Sequence, residues 1–100
     1  MQSKMTESEI RAALSGLHGW AYQDGALVKR FLLPTYLDGL KFVEALAIEA
    51  EARDHHPDIL LSYADVTVTF STHSAGGVTE KDADSAKSAD RIAVQYGVGR

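Results

Sequence analysis

The sequence predicts a two-layer α+β domain, with helices packed on one face of a four-stranded antiparallel sheet in the order α-β-β-α-β-β-α. Two observations support this fold class: segments with apolar residues at the helical period, and pairs of short β-prone segments joined by turns. Hairpins make neighbouring strands antiparallel, and helices covering one sheet face give two layers. A chain of 100 residues suits a single domain, expected over residues 1–100.

Three helices are predicted, and each follows a threonine that has a carboxylate three residues later. This spacing is typical of a capping box, in which each of the two side chains binds the backbone N–H of the other residue. The pairs are Thr6 with Glu9, Thr35 with Asp38, and Thr79 with Asp82. The expected helices run from about Glu7 to Leu14, from Tyr36 to Arg53, and from about Glu80 to Val94.

The second and third helices differ in the faces that they are expected to bury. In the second helix we expect Gly39 to weaken the first turn by ~1 kcal/mol relative to alanine. The third helix has a face of small residues, mostly alanine, which allows close packing on the sheet or on another subunit. The expected apolar stripe of the second helix consists of Tyr36, Leu40, Val43, Ala47 and Ala50, with Leu46 beside it.

The first predicted hairpin joins Trp20–Tyr22 to Ala26–Leu32 through Asp24-Gly25. Aspartate and glycine tolerate the positive φ of a tight turn, so this dipeptide between β-prone segments is a strong hairpin signal.

The second predicted hairpin follows Pro57, which disfavours helical angles at His56 and therefore ends the second helix near Asp54. Its strands are Ile59–Tyr63 and a segment, about 66–72, that alternates apolar with polar residues, with Ala64-Asp65 as the turn. An uncovered sheet edge invites pairing with a second copy, so we expect a homo-oligomer.

Composition narrows the class of protein. Ten basic and fourteen acidic residues give a net charge of −4, and the scattered basic residues form no stripe for nucleic acid. The absence of cysteine excludes disulfides and cysteine-based zinc sites. The polar segment Met1 to Glu9 lacks the apolar core of a signal peptide, and no apolar run approaches the length of a membrane span. We therefore expect a cytoplasmic protein that binds neither membrane nor nucleic acid.

Three histidines lie at the ends of predicted elements, where a rigid scaffold positions an accessible side chain. His55 and His56 follow the second helix and His73 follows the fourth strand, while Glu51 and Asp54 lie close by. These residues have three interpretations: unrelated surface residues, a metal site, or metal-free acid/base catalysis. A metal is disfavoured because adjacent histidines point in different directions and no His-Glu-x-x-His spacing occurs. His18, alone in a loop, is expected to be solvated.

The spacing of these residues resembles the signature of the pterin-4a-carbinolamine dehydratase family. The resemblance extends from about Leu14 to Ala93, with Ser62 and Ile59-Leu60 as departures where many members carry asparagine and an aromatic residue. Further similar segments are Gly19-Trp20, Ser71-Thr72-His73, Gly76-Gly77 and Thr79 through Asp82. The matching signature is Glu51, three residues, His55-His56-Pro57, five residues, Tyr63, nine residues, His73, eight residues, Asp82.

The resemblance implies a hydro-lyase that converts 4a-hydroxytetrahydropterin to quinonoid dihydropterin and water during tetrahydrobiopterin recycling, with no metal and no cofactor. It implies His55 and His73 as acid and base, in an order left open, and His56 as a pterin-orienting residue with a possible share in proton transfer. The implied substrate-binding residues are Glu51, Asp54, Ser71, Thr72 and Trp20, the last with core packing as an equal alternative. Tyr63 is expected to pack between the layers and Asp82 to cap the third helix.

The resemblance also leaves a second function open. Some animal relatives act as dimerisation cofactors of a homeodomain transcription factor, so the alternative is a non-catalytic pterin-binding or coactivator-like interaction module. As a family member, the protein would take a small pterin as its ligand and form homodimers or homotetramers.

Overall fold

A computed structural model describes residues 3–99 of the chain. The expected domain limits at residues 1 and 100 lie outside this range. The four strands of the described sheet are antiparallel and lie in the order β1-β2-β4-β3. The elements are α1 (Glu7–Leu14), β1 (Ala21–Gln23), β2 (Ala26–Leu32), α2 (Tyr36–Arg53), β3 (Asp58–Ser62), β4 (Asp65–Phe70), a 3₁₀ turn (His73–Ala75) and α3 (Glu80–Gln95). The predicted fold class and element order are confirmed.

All three helices begin where the threonines predicted. Thr6 and Thr79 form complete capping boxes with Glu9 and Asp82. Thr35 forms half of one: its side chain accepts from the backbone N–H of Asp38, but the Asp38 carboxylate accepts from the Thr35 hydroxyl instead of its backbone. The single hydrogen bond from the Asp38 N–H to the Thr35 hydroxyl is therefore enough, together with packing, to start α2.

The first hairpin turns at Asp24-Gly25, as predicted. Both residues have positive φ, 50° and 78°, which suits the right-handed twist of the paired strands. The strand itself starts one residue later than expected, because Trp20 turns into the core and is only 6% exposed. Its indole packs against Phe31 and Phe70, each with ring centroids 5.9 Å away.

The second hairpin corrects two expectations. Ser62 pairs with Asp65, so the turn is Tyr63-Ala64 and not Ala64-Asp65. Tyr63 has φ 55°, is 78% exposed, and stacks on the ring of Tyr36 instead of packing between the layers. Two-residue hairpin loops favour a positive φ at the first loop position, and Tyr63 adopts one there.

The buried face of α2 agrees with the expected stripe only in part, since Ala50 and the neighbouring Leu46 are buried as predicted but other members of the stripe are exposed. Tyr36 and Leu40 are 46% and 40% exposed, whereas the buried positions are Gly39, Phe42, Leu46 and Ala50. Gly39 lies where α2 approaches the β3–β4 hairpin closely, since a Cβ there would be only 3.0 Å from Cδ1 of Leu61. The lack of a side chain at this position suits a helix orientation in which residues 39, 42, 46 and 50 face the sheet.

A single described cluster of buried apolar residues joins the helices to one face of the sheet. Phe42 from α2 and Val66 and Val68 from β4 are fully buried within it. The alanine face of α3 also lies inside this core, since Ala86, Ala89 and Ala93 are at most 1% exposed. That face is therefore not available to another subunit. None of the helices between residues 3 and 99 has the length and apolar character to cross a bilayer.

Two leucines of α2 test the corrected face. Leu46→Ala should lower the free energy of unfolding by about 2–5 kcal/mol, because it leaves a cavity at a side chain that is 3% exposed. Leu37→Ala makes the same chemical change at a position that is 62% exposed in the isolated chain, and it should alter the stability of the monomer, measured at protein concentrations too low for self-association, by no more than about 0.5 kcal/mol. Urea unfolding followed by circular dichroism measures both, and equal effects would contradict the assigned face.

Candidate active site

The sheet register brings the histidine-bearing segments to one end of the sheet. Asp58, at the start of β3, pairs with Thr69 near the end of β4. Phe70, the last residue of β4, pairs with Leu27, next to the first hairpin turn. Residues 55–57, residues 71–73 and the Asp24-Gly25 turn therefore share this end of the sheet.

The backbone at the end of α2 sets the direction of His55. Asp54 adopts left-handed angles, with φ 51°, and the His55 N–H donates back to the Ala50 carbonyl at 3.1 Å. Pro57 then keeps the chain extended as it enters β3. His55 consequently leaves the helix axis and turns toward α3, where its imidazole lies nearly parallel to the Phe70 ring, with centroids 6.1 Å apart.

The His55 imidazole binds the carboxylate of Asp82, with 2.6 Å between Nε2 and Oδ1. Asp82 is fully buried, and the His55 side chain is 10% exposed. The second carboxylate oxygen accepts from the Thr72 hydroxyl and from the Thr79 backbone N–H, both at 2.8 Å. A buried carboxylate requires such donors, since an unpaired buried charge is strongly unfavourable.

With Asp82 ionised, this arrangement assigns the tautomer of a neutral His55 ring. An ionised carboxylate only accepts hydrogen bonds, so Nε2 carries the hydrogen and Nδ1 keeps a lone pair. No hydrogen bond described for residues 3–99 engages Nδ1. The buried pair therefore orients the imidazole and leaves Nδ1 to accept a proton, in the manner of carboxylate–histidine pairs in hydrolases.

A cavity of about 190 Å³ adjoins His55 and is lined by polar residues from two helices: Arg53, Lys81, Asp84 and Ser85. Arg53 is held in place by Glu49 at 2.6 Å and by the Ser88 hydroxyl at 2.6 Å. The hydrogen bond from Arg53 lowers the pKa of Glu49 below its ordinary value of 4.5, so this carboxylate stays ionised to a lower pH than a free glutamate.

His56 forms a different kind of pair. Its Nε2 lies 2.5 Å from Oε2 of Glu51, and the two side chains are 55% and 77% exposed. The pair is at the protein surface, where solvent weakens its electrostatic energy, so it orients the ring more than it stabilises the fold.

His73 begins the 3₁₀ turn and is exposed. It lines a second cavity, of about 300 Å³, together with residues from the β4 end and the first hairpin turn: Asp24, Gly25, Ser71, Thr72, Gly76 and Gly77. No described hydrogen bond within residues 3–99 engages its imidazole. The two cavities share no lining residue, but Thr72 and Asp82 connect them through the hydrogen bonds to His55.

The expected site residues therefore do not all line the same cavity. His55 and His73 line separate cavities, Ser71 and Thr72 line the second, and His56, Glu51 and Asp54 line neither. The Thr72 hydroxyl is buried and turned to Asp82, not to the cavity. Trp20 is in the core, where its indole nitrogen donates to Asp90 at 3.1 Å, which agrees with the packing alternative.

Asp82 is the residue of the candidate site that sequence reasoning undervalued, since we expected only a helix cap. The capping role is confirmed by the Thr79 N–H bond, and the His55 contact is additional. Its place in the family signature was the available signal. Among residues 3–99, no three His, Asp or Glu side chains are grouped so as to hold a metal ion.

Comparison with known proteins identifies the family. The family model described as pterin 4 alpha carbinolamine dehydratase matches residues 3–92. The chain belongs to this family. A relative from Mycobacterium sp. (strain KMS) is 46% identical over 88 residues, which are 88% of this chain and 94% of the relative. A relative from Picosynechococcus sp. (strain ATCC 27264 / PCC 7002 / PR-6) is 42% identical over 92% of this chain and all of its own. Both relatives are named, provisionally, as pterin-4-alpha-carbinolamine dehydratases.

Two solved structures show the dehydratase fold in proteins with different descriptions. The crystal structure of a transcriptional coactivator/pterin dehydratase from Brucella melitensis has a TM-score of 0.88 and 38% identity, over 91% of this chain and 99% of its own. A pterin dehydratase-like RuBisCO assembly factor of the alpha-carboxysome has a TM-score of 0.66 and 29% identity, over 76% of this chain and 90% of its own. The fold is therefore shared by proteins whose activities differ.

Proposed function

We propose that the protein dehydrates 4a-hydroxytetrahydropterin to quinonoid dihydropterin and water, by histidine acid/base catalysis. Family membership over residues 3–92 is the observation that carries this proposal. The buried His55–Asp82 pair supports it, because an oriented imidazole with a free nitrogen is the group that such a reaction needs. The reaction would follow a tetrahydropterin-dependent hydroxylase and would return the pterin to a recycling sequence, in the cytoplasm as the sequence suggests.

The reaction requires two proton transfers and no electron transfer. The C4a–oxygen bond breaks as the hydroxyl receives a proton and leaves as water. The N5–H proton goes to a base as the N5–C4a double bond forms. Hydroxide is a poor leaving group, so the acid is as important as the base, and each positioned group contributes roughly 10²–10⁴ in rate.

The geometry favours His55 as the base. Its hydrogen is on Nε2, toward Asp82, so Nδ1 has the lone pair that can accept the N5 proton. The carboxylate of Asp82 stabilises the imidazolium that results. His73 is then the proposed acid that protonates the C4a hydroxyl, which requires a bound pterin to bridge the two cavities that these histidines line.

The surrounding groups suit the polar edge of a pterin ring. The carboxylates of Glu51 and Asp54 are exposed and accept from ring N–H groups, and His56, paired with Glu51, would orient the ring. Ser71 lines the His73 cavity and offers a hydroxyl beside it.

The activity can be measured by generating the carbinolamine with a pterin-dependent hydroxylase and following its loss spectroscopically, with and without this protein. Acceleration supports the proposal, and binding of the pterin without acceleration contradicts it. We expect the same rate when this protein alone is treated with a chelator that is removed before the assay, because the proposed chemistry uses no metal and no cofactor; loss of activity would contradict the metal-free mechanism.

The histidine assignment predicts that His55→Ala and His73→Ala each lower kcat by roughly 10²–10⁴. His18→Ala is the matched control, because this exposed loop histidine should be dispensable. Circular dichroism establishes that each variant is folded before its kcat is compared. Turnover near that of the unmodified protein in both site variants would exclude the assignment.

Glu51 should act mainly in substrate binding. Glu51→Ala removes both an acceptor for the pterin and the partner of His56, so KM should increase more than kcat falls. Glu44→Ala, at an exposed position of the same helix, provides the control. If kcat instead falls while KM is unchanged, Glu51 acts in the transition state and the binding role is wrong.

A non-catalytic interaction module is the alternative function. It is favoured by the Brucella coactivator/pterin dehydratase and by the RuBisCO assembly factor, both of which resemble this chain. The turnover assay separates the two functions, since an interaction module would show no acceleration in any condition.

We also propose that the protein forms a homodimer or homotetramer. Exposed apolar side chains occur on α2, at Leu37 and Ile48, and on the edge strand β3, at Leu60, each more than 60% exposed. Burying such residues in an interface is favourable, and an unpaired edge strand can pair with a second copy. Light scattering should give a mass above 10.8 kDa per particle, and a monomer mass across a wide concentration range would exclude the oligomer.

A further inference from the structure

Every polar group of Thr72 has a hydrogen-bond partner within the protein. Its N–H donates to the Gly77 carbonyl at 2.9 Å, and its own carbonyl accepts from Ala75 at 3.0 Å and from Gly77 at 3.3 Å. Its hydroxyl, in a residue that is 6% exposed, donates to Oδ2 of Asp82 at 2.8 Å. A residue with these contacts has little to offer a substrate, although it adjoins His73 and lines the same cavity.

The hydroxyl completes a directed chain of hydrogen bonds. A threonine hydroxyl has one hydrogen, and that of Thr72 goes to the carboxylate. The 2.9 Å contact with the Thr79 hydroxyl must therefore be a donation from Thr79 to Thr72. The donations run from Thr79 to Thr72 and from Thr72 to Asp82, which also accepts from His55, and all of these residues except His55 are at most 6% exposed.

From this we infer that Thr72 is a positioning residue for both histidines: its hydroxyl fixes the tautomer of His55 through Asp82, and its backbone fixes the turn that carries His73. The expected effect on kcat rests on the proposed function. The expected effect on the tautomer of His55 rests on the hydrogen bonds alone.

The two contributions of Thr72 are separable. A side-chain substitution removes the hydroxyl but leaves the backbone pairing with Gly77, so His73 keeps its turn. Without the hydroxyl, Oδ2 of Asp82 retains only the Thr79 N–H, and the buried Thr79 hydroxyl loses its acceptor. The carboxylate is then free to rotate toward the Thr79 hydroxyl, and its hold on Nε2 of His55 weakens.

The test uses Thr72→Val, which keeps the branched shape without the hydroxyl, and Thr72→Ser, which keeps the hydroxyl. Thr69→Val is the matched control, because Thr69 lies on β4 with its side chain on the opposite sheet face and makes no contact with the chain of hydrogen bonds. The readouts are the ring-nitrogen NMR shifts of His55, which report its tautomer without substrate, and kcat for the dehydration.

We expect His55 to be in the Nε2–H form in the unmodified protein, in Thr72→Ser and in Thr69→Val, and to populate both tautomers in Thr72→Val. The kcat of Thr72→Val should fall about tenfold, in line with one lost hydrogen bond to a charged group, and Thr72→Ser should restore most of it. The ring shifts of His73 should be unchanged in all three variants.

Two results would overturn the inference: His55 stays in the Nε2–H form in Thr72→Val, or His55 leaves that form in a folded Thr72→Ser. Thr72→Ala gives a second variant without the hydroxyl in case Thr72→Val does not fold. If the unmodified protein shows no dehydratase activity, the proposed function fails, but the tautomer measurement still decides whether Thr72 positions His55.

Discussion

The structure of the candidate site depends on the buried carboxylate of Asp82. This group caps α3 through the Thr79 N–H, receives the Thr72 hydroxyl from the loop after β4, and binds His55 from the end of α2. Three separate segments of the chain thus meet at two oxygen atoms with no exposure to solvent. Because a buried charge is tolerated only when it is fully hydrogen-bonded, each of these donors restricts the positions of the others.

The fold provides a rigid frame for this junction, but the fold alone does not decide the activity. A RuBisCO assembly factor and a coactivator/pterin dehydratase both resemble this chain in structure. What distinguishes a catalyst on such a frame is the chemistry at the element ends, here an oriented imidazole and an exposed one at the same end of the sheet. The proposed activity therefore depends on a few side chains whose positions the sheet register and the α2 cap determine.

The sequence predicted those features that depend on neighbouring residues. Thr6 with Glu9, Thr79 with Asp82, and the Asp24-Gly25 turn act within four residues, and the structure confirms all three. The expected stripe of α2 was right at Ala50 and at the neighbouring Leu46 but wrong at Tyr36 and Leu40, because the face that meets the sheet depends on distant contacts such as that of Gly39 with Leu61. The positive φ of Tyr63 was missed for a similar reason: the pairing of Ser62 with Asp65 fixes the turn, and aromatic residues rarely adopt that conformation.

The candidate site likewise combines features set by neighbouring residues with features set by distant contacts. The sequence by itself determined which residue types are present, their spacing, the family they indicate, and the element ends that carry His55, His56 and His73, since these follow from local pattern. Only the tertiary structure decided that Asp82 binds His55, that the Thr72 hydroxyl is buried, and that His55 and His73 line separate cavities. These facts depend on how α3 packs against the end of the sheet, which brings together residues 27 positions apart and is not encoded in any short segment.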